Sequence, residues 1–106
     1  MIPANLLSAL REKDPELWAR YAETDLSREE ERIDEPWRTA EANEAWLQYC
    51  LQEAIRARGW CYRTRYIDWV WVDIFDACDE TLGEAECYTE AEALLRAYLT
   101  AIQEAA

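Results

Sequence analysis

Histidine is absent from this chain, and glycine and serine are reduced to Gly59 and Gly83, Ser8 and Ser27. Without His, general acid-base catalysis near neutral pH loses its usual proton carrier, and no spacing of Asp or Glu marks a substituting pair. Two isolated glycines cannot build a phosphate-cradling loop. Neither serine lies in a G-x-S-x-G or S-x-x-K setting. The four cysteines, Cys50, Cys61, Cys78 and Cys87, form no C-x-x-C pair and have no His to complete a zinc site. Each is flanked by apolar or aromatic residues and reads as a buried, reduced thiol. The alternative is a disulfide, with three pairing schemes open. No basic N-terminal region precedes an apolar run, and no apolar segment approaches the roughly 20 residues that span a bilayer. These absences predict a cytoplasmic protein that is not an enzyme and uses no cofactor or metal.

Basic residues are scarce too, 11 Lys+Arg against 23 Asp+Glu, for a net charge of −12. Such a chain repels phosphate backbones and favours basic partners. From Tyr66 to the C-terminus, Asp68, Asp73, Asp76, Asp79, Glu80, Glu84, Glu86, Glu90, Glu92 and Glu104 face Arg96 alone, so this part holds −9 of the −12. A second acidic block, 23–35, sets seven carboxylates against Arg28 and Arg32. Carboxylates spread over a rigid surface can imitate the phosphate track of a duplex; the plainer role of such charge is solubility. Asp73, Asp76, Asp79 and Glu80 offer the oxygens that a hard cation takes, but they lack calcium-loop spacing and its central glycine, so a solvated acidic end is expected there.

What the chain has in quantity is large apolar side chains, with six Trp and six Tyr in a composition that is 51% hydrophobic. At 106 residues this is enough for one core, and a single domain is expected over 1–106. Within it, 1–34 reads as a helical pair and an acidic connector, and 35–106 as a helix-sheet-helix core. Pro3 opens a first helix that carries Leu6, Leu7 and Leu10 to about Lys13. Asp14-Pro15 opens a second, with Leu17, Trp18, Tyr21 and Ala22 at helical spacing. Ser27 and Glu30 match a capping box in the acidic connector. A long helix runs from Glu35-Pro36 or Thr39 to Arg58, stopped by Gly59, with Leu47, Cys50, Leu51, Ala54 and Ile55 on one stripe. Thr89 and Glu92 cap a last helix whose Leu94, Leu95, Tyr98, Leu99 and Ile102 hold the same period.

Only 59–76 shows a period of two. It predicts a hairpin, 60–66 and 69–76, turning at Ile67-Asp68, followed by a loop at Thr81-Leu82-Gly83 and a short edge strand over 84–88. The fold class is therefore α+β, three to four helices on a small antiparallel sheet, with the long helix and the last one lying side by side across it. The two-residue turn places Trp60, Tyr62, Thr64 and Tyr66 beside Trp69, Trp71, Asp73 and Phe75, a face expected to be core, with Arg63 and Arg65 outside beside Val70 and Val72. Trp71→Ala should then cost about 3–5 kcal/mol. If the Val/Ile face is buried instead, an exposed aromatic patch would mark a protein interface or a homodimer.

The run from Trp46 to Ile102 combines a helix ending in Arg-Gly, a strand, the Trp-rich strand WVWVDIF, the link Gly83-Glu84-Ala85-Glu86 and the helix TEAEALLRAYLTAI. In this it resembles the small tailed-phage proteins called phage ABA sandwich domain proteins. The resemblance implies a phage or prophage origin and a helix, a small antiparallel sheet and a helix; it implies no reaction. In a phage setting the acidic surface is expected to serve an anti-defence, anti-CRISPR-like inhibitor that blocks a basic nucleic-acid-binding groove. Its partner would be a host nucleic-acid-binding protein or defence complex, with no direct binding of nucleic acid or membrane. The expected contact residues are Asp73, Asp76, Asp79, Glu80, Glu84 and Glu86, with Glu29, Glu30 and Glu31. The alternatives are a phage accessory or structural protein that homodimerises through the aromatic hairpin, and a carboxylate metal enzyme. The chain itself is expected to be a monomer or a homodimer.

Overall fold

Capping residues set the helix boundaries. In the computed structural model, which describes residues 2–23 and 36–105, with side chains over 2–22 and 43–103, the first helix, α1, spans Ala4–Lys13 and buries Leu6 and Leu10. Asp14 ends it and starts the next: its N–H donates to the Leu10 carbonyl at 2.8 Å, and its Oδ1 accepts the Leu17 N–H at 3.2 Å. Helix α2 is Pro15–Glu23 and α3 is Pro36–Ala57, which buries Leu47, Cys50, Leu51 and Ile55. Gly59, at φ +76°, terminates α3: its N–H reaches the Arg56 carbonyl and that of Trp60 reaches the Ile55 carbonyl, the paired bonds that close a helix on a left-handed residue. The connector with Ser27, Glu29, Glu30 and Glu31 lies outside the described residues.

Three strands follow, β1 Cys61–Tyr66, β2 Val70–Phe75 and β3 Thr81–Cys87, in the antiparallel order β1-β2-β3. The connection between β1 and β2 is a three-residue loop centred on Asp68, in which the Ile67 N–H donates to the Trp69 carbonyl at 3.2 Å. Tyr66 therefore pairs with Val70, Thr64 with Val72 and Tyr62 with Ile74. This corrects the two-residue turn expected at Ile67-Asp68. A one-residue slip moves every side chain of the second strand to the other face. Val70, Val72 and Ile74 thus join Tyr62, Thr64 and Tyr66 on the helix side, where Val72 and Ile74 are fully buried. Trp71, Asp73 and Phe75 share the opposite side with Cys61, Arg63 and Arg65, so the expected aromatic core face exists on neither side. β-branched side chains fit the thin space between a sheet and an alanine-rich helix better than indoles do.

The expected loop at 81–83 is also corrected, because these residues belong to β3. Gly83 serves close approach rather than a turn: a Cβ there would lie 2.2 Å from the Ala97 carbonyl oxygen and 2.9 Å from the Ala101 nitrogen. The backbone of the last helix, α4 (Glu90–Ala105), rests on β3 at that point. The true turn is Asp76–Glu80, where Asp76 Oδ1 accepts the N–H groups of Cys78 at 2.8 Å and Glu80 at 3.0 Å. Asp79 takes φ +61°, which the short polar residue tolerates. Pairing then shifts between Ile74 and Phe75, leaving Leu82 as the extra residue of a bulge.

Among the described residues the result is four helices on a three-stranded sheet. Thr89 Oγ1 accepts the Glu92 N–H at 3.3 Å, as the capping pattern requires. α4 buries residues nearly all round, Ala93, Leu94, Leu95, Ala97, Tyr98 and Ala101 among them, because it lies between the sheet and the other helices. Among the described residues α3 packs mainly on α4 and meets the sheet chiefly at β1, so α4 is the main cover of β2 and β3. All four cysteines are free, and Cys61 and Cys78 are exposed rather than buried as expected. Among the described residues no helix is long and apolar enough to cross a membrane.

Candidate binding surface

Among the described residues, the side of the sheet away from α4 carries no helix, and alternation along the strands sorts it into three columns. β1 presents Cys61, Arg63 and Arg65, β2 presents Trp71, Asp73 and Phe75, and β3 presents Glu84 and Glu86. The guanidinium of Arg65 stands 5.1 Å from the Trp71 ring, and that of Arg63 stands 5.1 Å from the Phe75 ring. Between the two rings Asp73 is 1% exposed. Its Oδ2 accepts from Arg63 Nε at 3.0 Å and pairs with the same guanidinium at 2.9 Å, while Oδ1 is buried with no hydrogen-bond partner. Asp73 is thus withdrawn from the expected acidic surface, because an ion already pairs it from the neighbouring strand.

The remaining carboxylates of that set separate by role. Asp76 is half-buried and spends Oδ1 on its own turn. Asp79, Glu80, Glu84 and Glu86 are exposed and join no ion pair among the described residues. Glu84 and Glu86, two residues apart on one strand, point the same way about 7 Å apart. Asp79 and Glu80, in the turn that enters β3, add two more exposed carboxylates at the start of that edge strand. Glu29, Glu30 and Glu31 fall in the undescribed connector. No group of three or more His, Cys, Asp or Glu among the described residues is placed to hold a metal ion.

At the other end of β3 the structure brings together residues that the sequence left apart. Val70 pairs with Cys87, which sets Trp69 beside Tyr88; their rings meet edge to face, centroids 4.4 Å apart at 78°. With Tyr66 and Ile67 they make up four of the five exposed large hydrophobic residues described, Tyr49 being the fifth. A groove of about 490 Å³ runs from this pair along Glu86, Cys87, Glu92 and Arg96. Tyr66 donates its hydroxyl to Glu90 Oε2 at 2.7 Å and Thr64 donates to Oε1 at 3.3 Å, tying β1 to the first turn of α4. Only the register reveals this cluster; from the sequence, Trp69 is expected on the core face and Tyr88 at the end of the edge strand.

A second cleft, about 360 Å³, lies between α2, α3 and α4, bounded by Asp14, Arg20, Cys50, Glu53, Arg58 and Tyr98. Several of its polar groups find partners within the chain. Arg20 pairs with Glu53, Arg58 lies 5.1 Å from the Trp60 ring, and Tyr98 donates to Asp14 Oδ2 at 2.5 Å. Burial and the Asp14 carboxylate hold the Tyr98 phenol well above its ordinary range. Burial raises the Cys50 thiol, and burial together with Glu92 pushes Cys87 up to about 11. These thiols stay protonated at neutral pH, the opposite of an activated nucleophile. No family model, no curated protein and no solved structure matches this chain.

Proposed function

We propose that this chain is a non-catalytic binding protein whose partner offers a basic surface of the kind that grips nucleic acid, and that it acts as an anti-defence inhibitor in a phage-infected host cell. The observation that carries this is the set Asp79, Glu80, Glu84 and Glu86, exposed and in no ion pair among the described residues, while Asp73, Glu53 and Glu92 are all paired with arginines. Charge left uncompensated along a rigid strand is available to steer and hold a cationic partner. The phage setting is inferred from the pattern of 46–102, which resembles that of phage ABA sandwich domain proteins. The partner would be a host nucleic-acid-binding protein or defence complex.

The test is capture from nuclease-treated bacterial lysate on the immobilised protein. Captured proteins should be nucleic-acid binders, displaced by added duplex DNA. Their retention should fall at least about 10-fold between roughly 0.05 and 0.5 M salt, where the screening length shrinks from beyond 10 Å to a few Å. Retention indifferent to both salt and DNA overturns the proposal.

The open sheet supports a second reading, self-association. A two-fold axis parallel to the strands would lay β1 over β3 of a second copy, so that Arg63 and Arg65 meet the second copy's Glu84 and Glu86. Three strands about 4.8 Å apart and six residues long give a footprint of roughly 15 by 20 Å. That is well below the roughly 800 Å² per partner of a stable interface, so such a dimer would be weak. Sedimentation equilibrium decides it: Arg65→Glu should dissociate the dimer and Arg65→Glu with Glu86→Arg should restore it, whereas a strict monomer excludes it.

A further inference from the structure

We propose that the corner made by Trp69, Tyr88 and Glu86 is a binding site for an organic cation, the lysine or arginine head group of the basic partner. The proposal rests on the binding function above and assigns the anchor of that contact. The two rings stand nearly perpendicular, so each presents a face or edge to the same groove, and both are exposed, Tyr88 by 82% and Trp69 by 43%. Ring faces carry the negative lobe of the aromatic quadrupole, which attracts ammonium and guanidinium groups, an electrostatic gain that a neutral alkyl group of equal size lacks.

The carboxylate supply agrees. Glu86 lines the groove on the Tyr88 side of Trp69 and also the smaller groove, about 240 Å³, shared with Arg65, Ile67 and Trp71. Arg96, which lines the same groove, is held by Glu92 at 3.3 Å, so those two charges offset each other, and Arg65 lies over the Trp71 ring, while Glu86 joins no ion pair among the described residues. The same sheet shows the chemistry satisfied twice from within, Arg65 on Trp71 and Arg63 on Phe75. Trp69 and Tyr88 are the aromatic pair at this surface over which no guanidinium of the described chain lies. A cation from outside completes there the contact that β1 supplies to its neighbours.

The experiment is a heteronuclear NMR titration of the intact chain, following the Trp69 indole N–H and the Tyr88 amide. The probes are choline, acetyl-arginine amide and the uncharged tert-butyl analogue of choline. Both cations should shift these signals saturably at about millimolar concentration, and the uncharged analogue should bind at least about 10-fold more weakly. Tyr88→Phe should keep the affinity within about 2-fold, Glu86→Gln should lower it about 3-fold or more, and Trp69→Ala or Tyr88→Ala should abolish it with an unchanged melting curve. Equal binding of the uncharged analogue, or no shift by about 50 mM cation, overturns the site. If the probes bind but lysate capture shows no basic partner, the binding function fails and the site stands. If salt-sensitive capture occurs without probe binding, the site fails and the function stands.

Discussion

Tyr98 and Asp14 carry more of the tertiary structure than their local patterns announce. The Tyr98 side chain is fully buried, and its hydroxyl reaches Asp14 at the junction of α1 and α2, so one bond fastens the N-terminal helical pair to α4. Tyr98→Phe keeps the packing and deletes a bond to a charged acceptor, and should cost about 2 kcal/mol in urea denaturation. Cys87 makes a different test. Its folded-state pKa is raised from the ordinary 9.0 to about 11, so the unfolded chain loses this proton first as pH rises. The stability tied to it is complete below pH 9 and is lost between 9 and about 11; Tyr98, raised from 10, extends the loss to still higher pH. Cys87→Ala should flatten the first part of the alkaline fall in unfolding free energy, and an unchanged slope would show that the thiol is not responsible.

For the elements, the decisive quantity is the register of β2. Because Val72 and Ile74 face α4 while Trp71 faces outward, Ile74→Ala should cost about 3 kcal/mol and Trp71→Ala only about 1–2, contrary to the ranking expected from side-chain size. Equal losses would argue that the open side is covered. The two glycines separate just as clearly. At Gly83 a methyl group meets the α4 backbone, which cannot give way as a side-chain tip could, so Gly83→Ala should cost about 3 kcal/mol or more. Gly59 has nothing within 4 Å, so Gly59→Ala suffers only the left-handed backbone penalty, about 1–2 kcal/mol. Thermal melts of the pair distinguish the two mechanisms.

Over the whole molecule, charge and shape divide the work. Among the described residues, helices gather on one side of the sheet and leave the other to arginine, aromatic and glutamate columns, with the exposed carboxylates along β3 and the aromatic corner at its far end. Neutralising Asp79, Glu80, Glu84 and Glu86 together to Asn and Gln should change stability by less than about 1 kcal/mol, since exposed charges contribute little to folding, and should remove the salt-sensitive capture. Capture that survives the fourfold change would place the contact elsewhere, with the aromatic corner as the next surface to alter.

The helices were legible from the sequence because their signals are local. Asp14, Gly59 and Thr89 act on backbone groups within a few residues, and the stripes of α1, α2, α3 and α4 recur within a few turns. The excess of acid over base was likewise written in composition. What only tertiary structure decided was which way the strands face. A single residue in the turn, three rather than two, exchanges the faces of β2, and nothing short of the helix packed against Val72 and Ile74 selects between them. The same holds for Gly83, Asp73 and the Trp69–Tyr88 corner. A glycine reads as a turn until a helix backbone rests on it, a carboxylate reads as surface until Arg63 crosses to it, and two aromatics 19 positions apart meet only because Val70 pairs with Cys87. Local bonds are set by neighbours in the chain, whereas faces, burial and sites are set by neighbours in space.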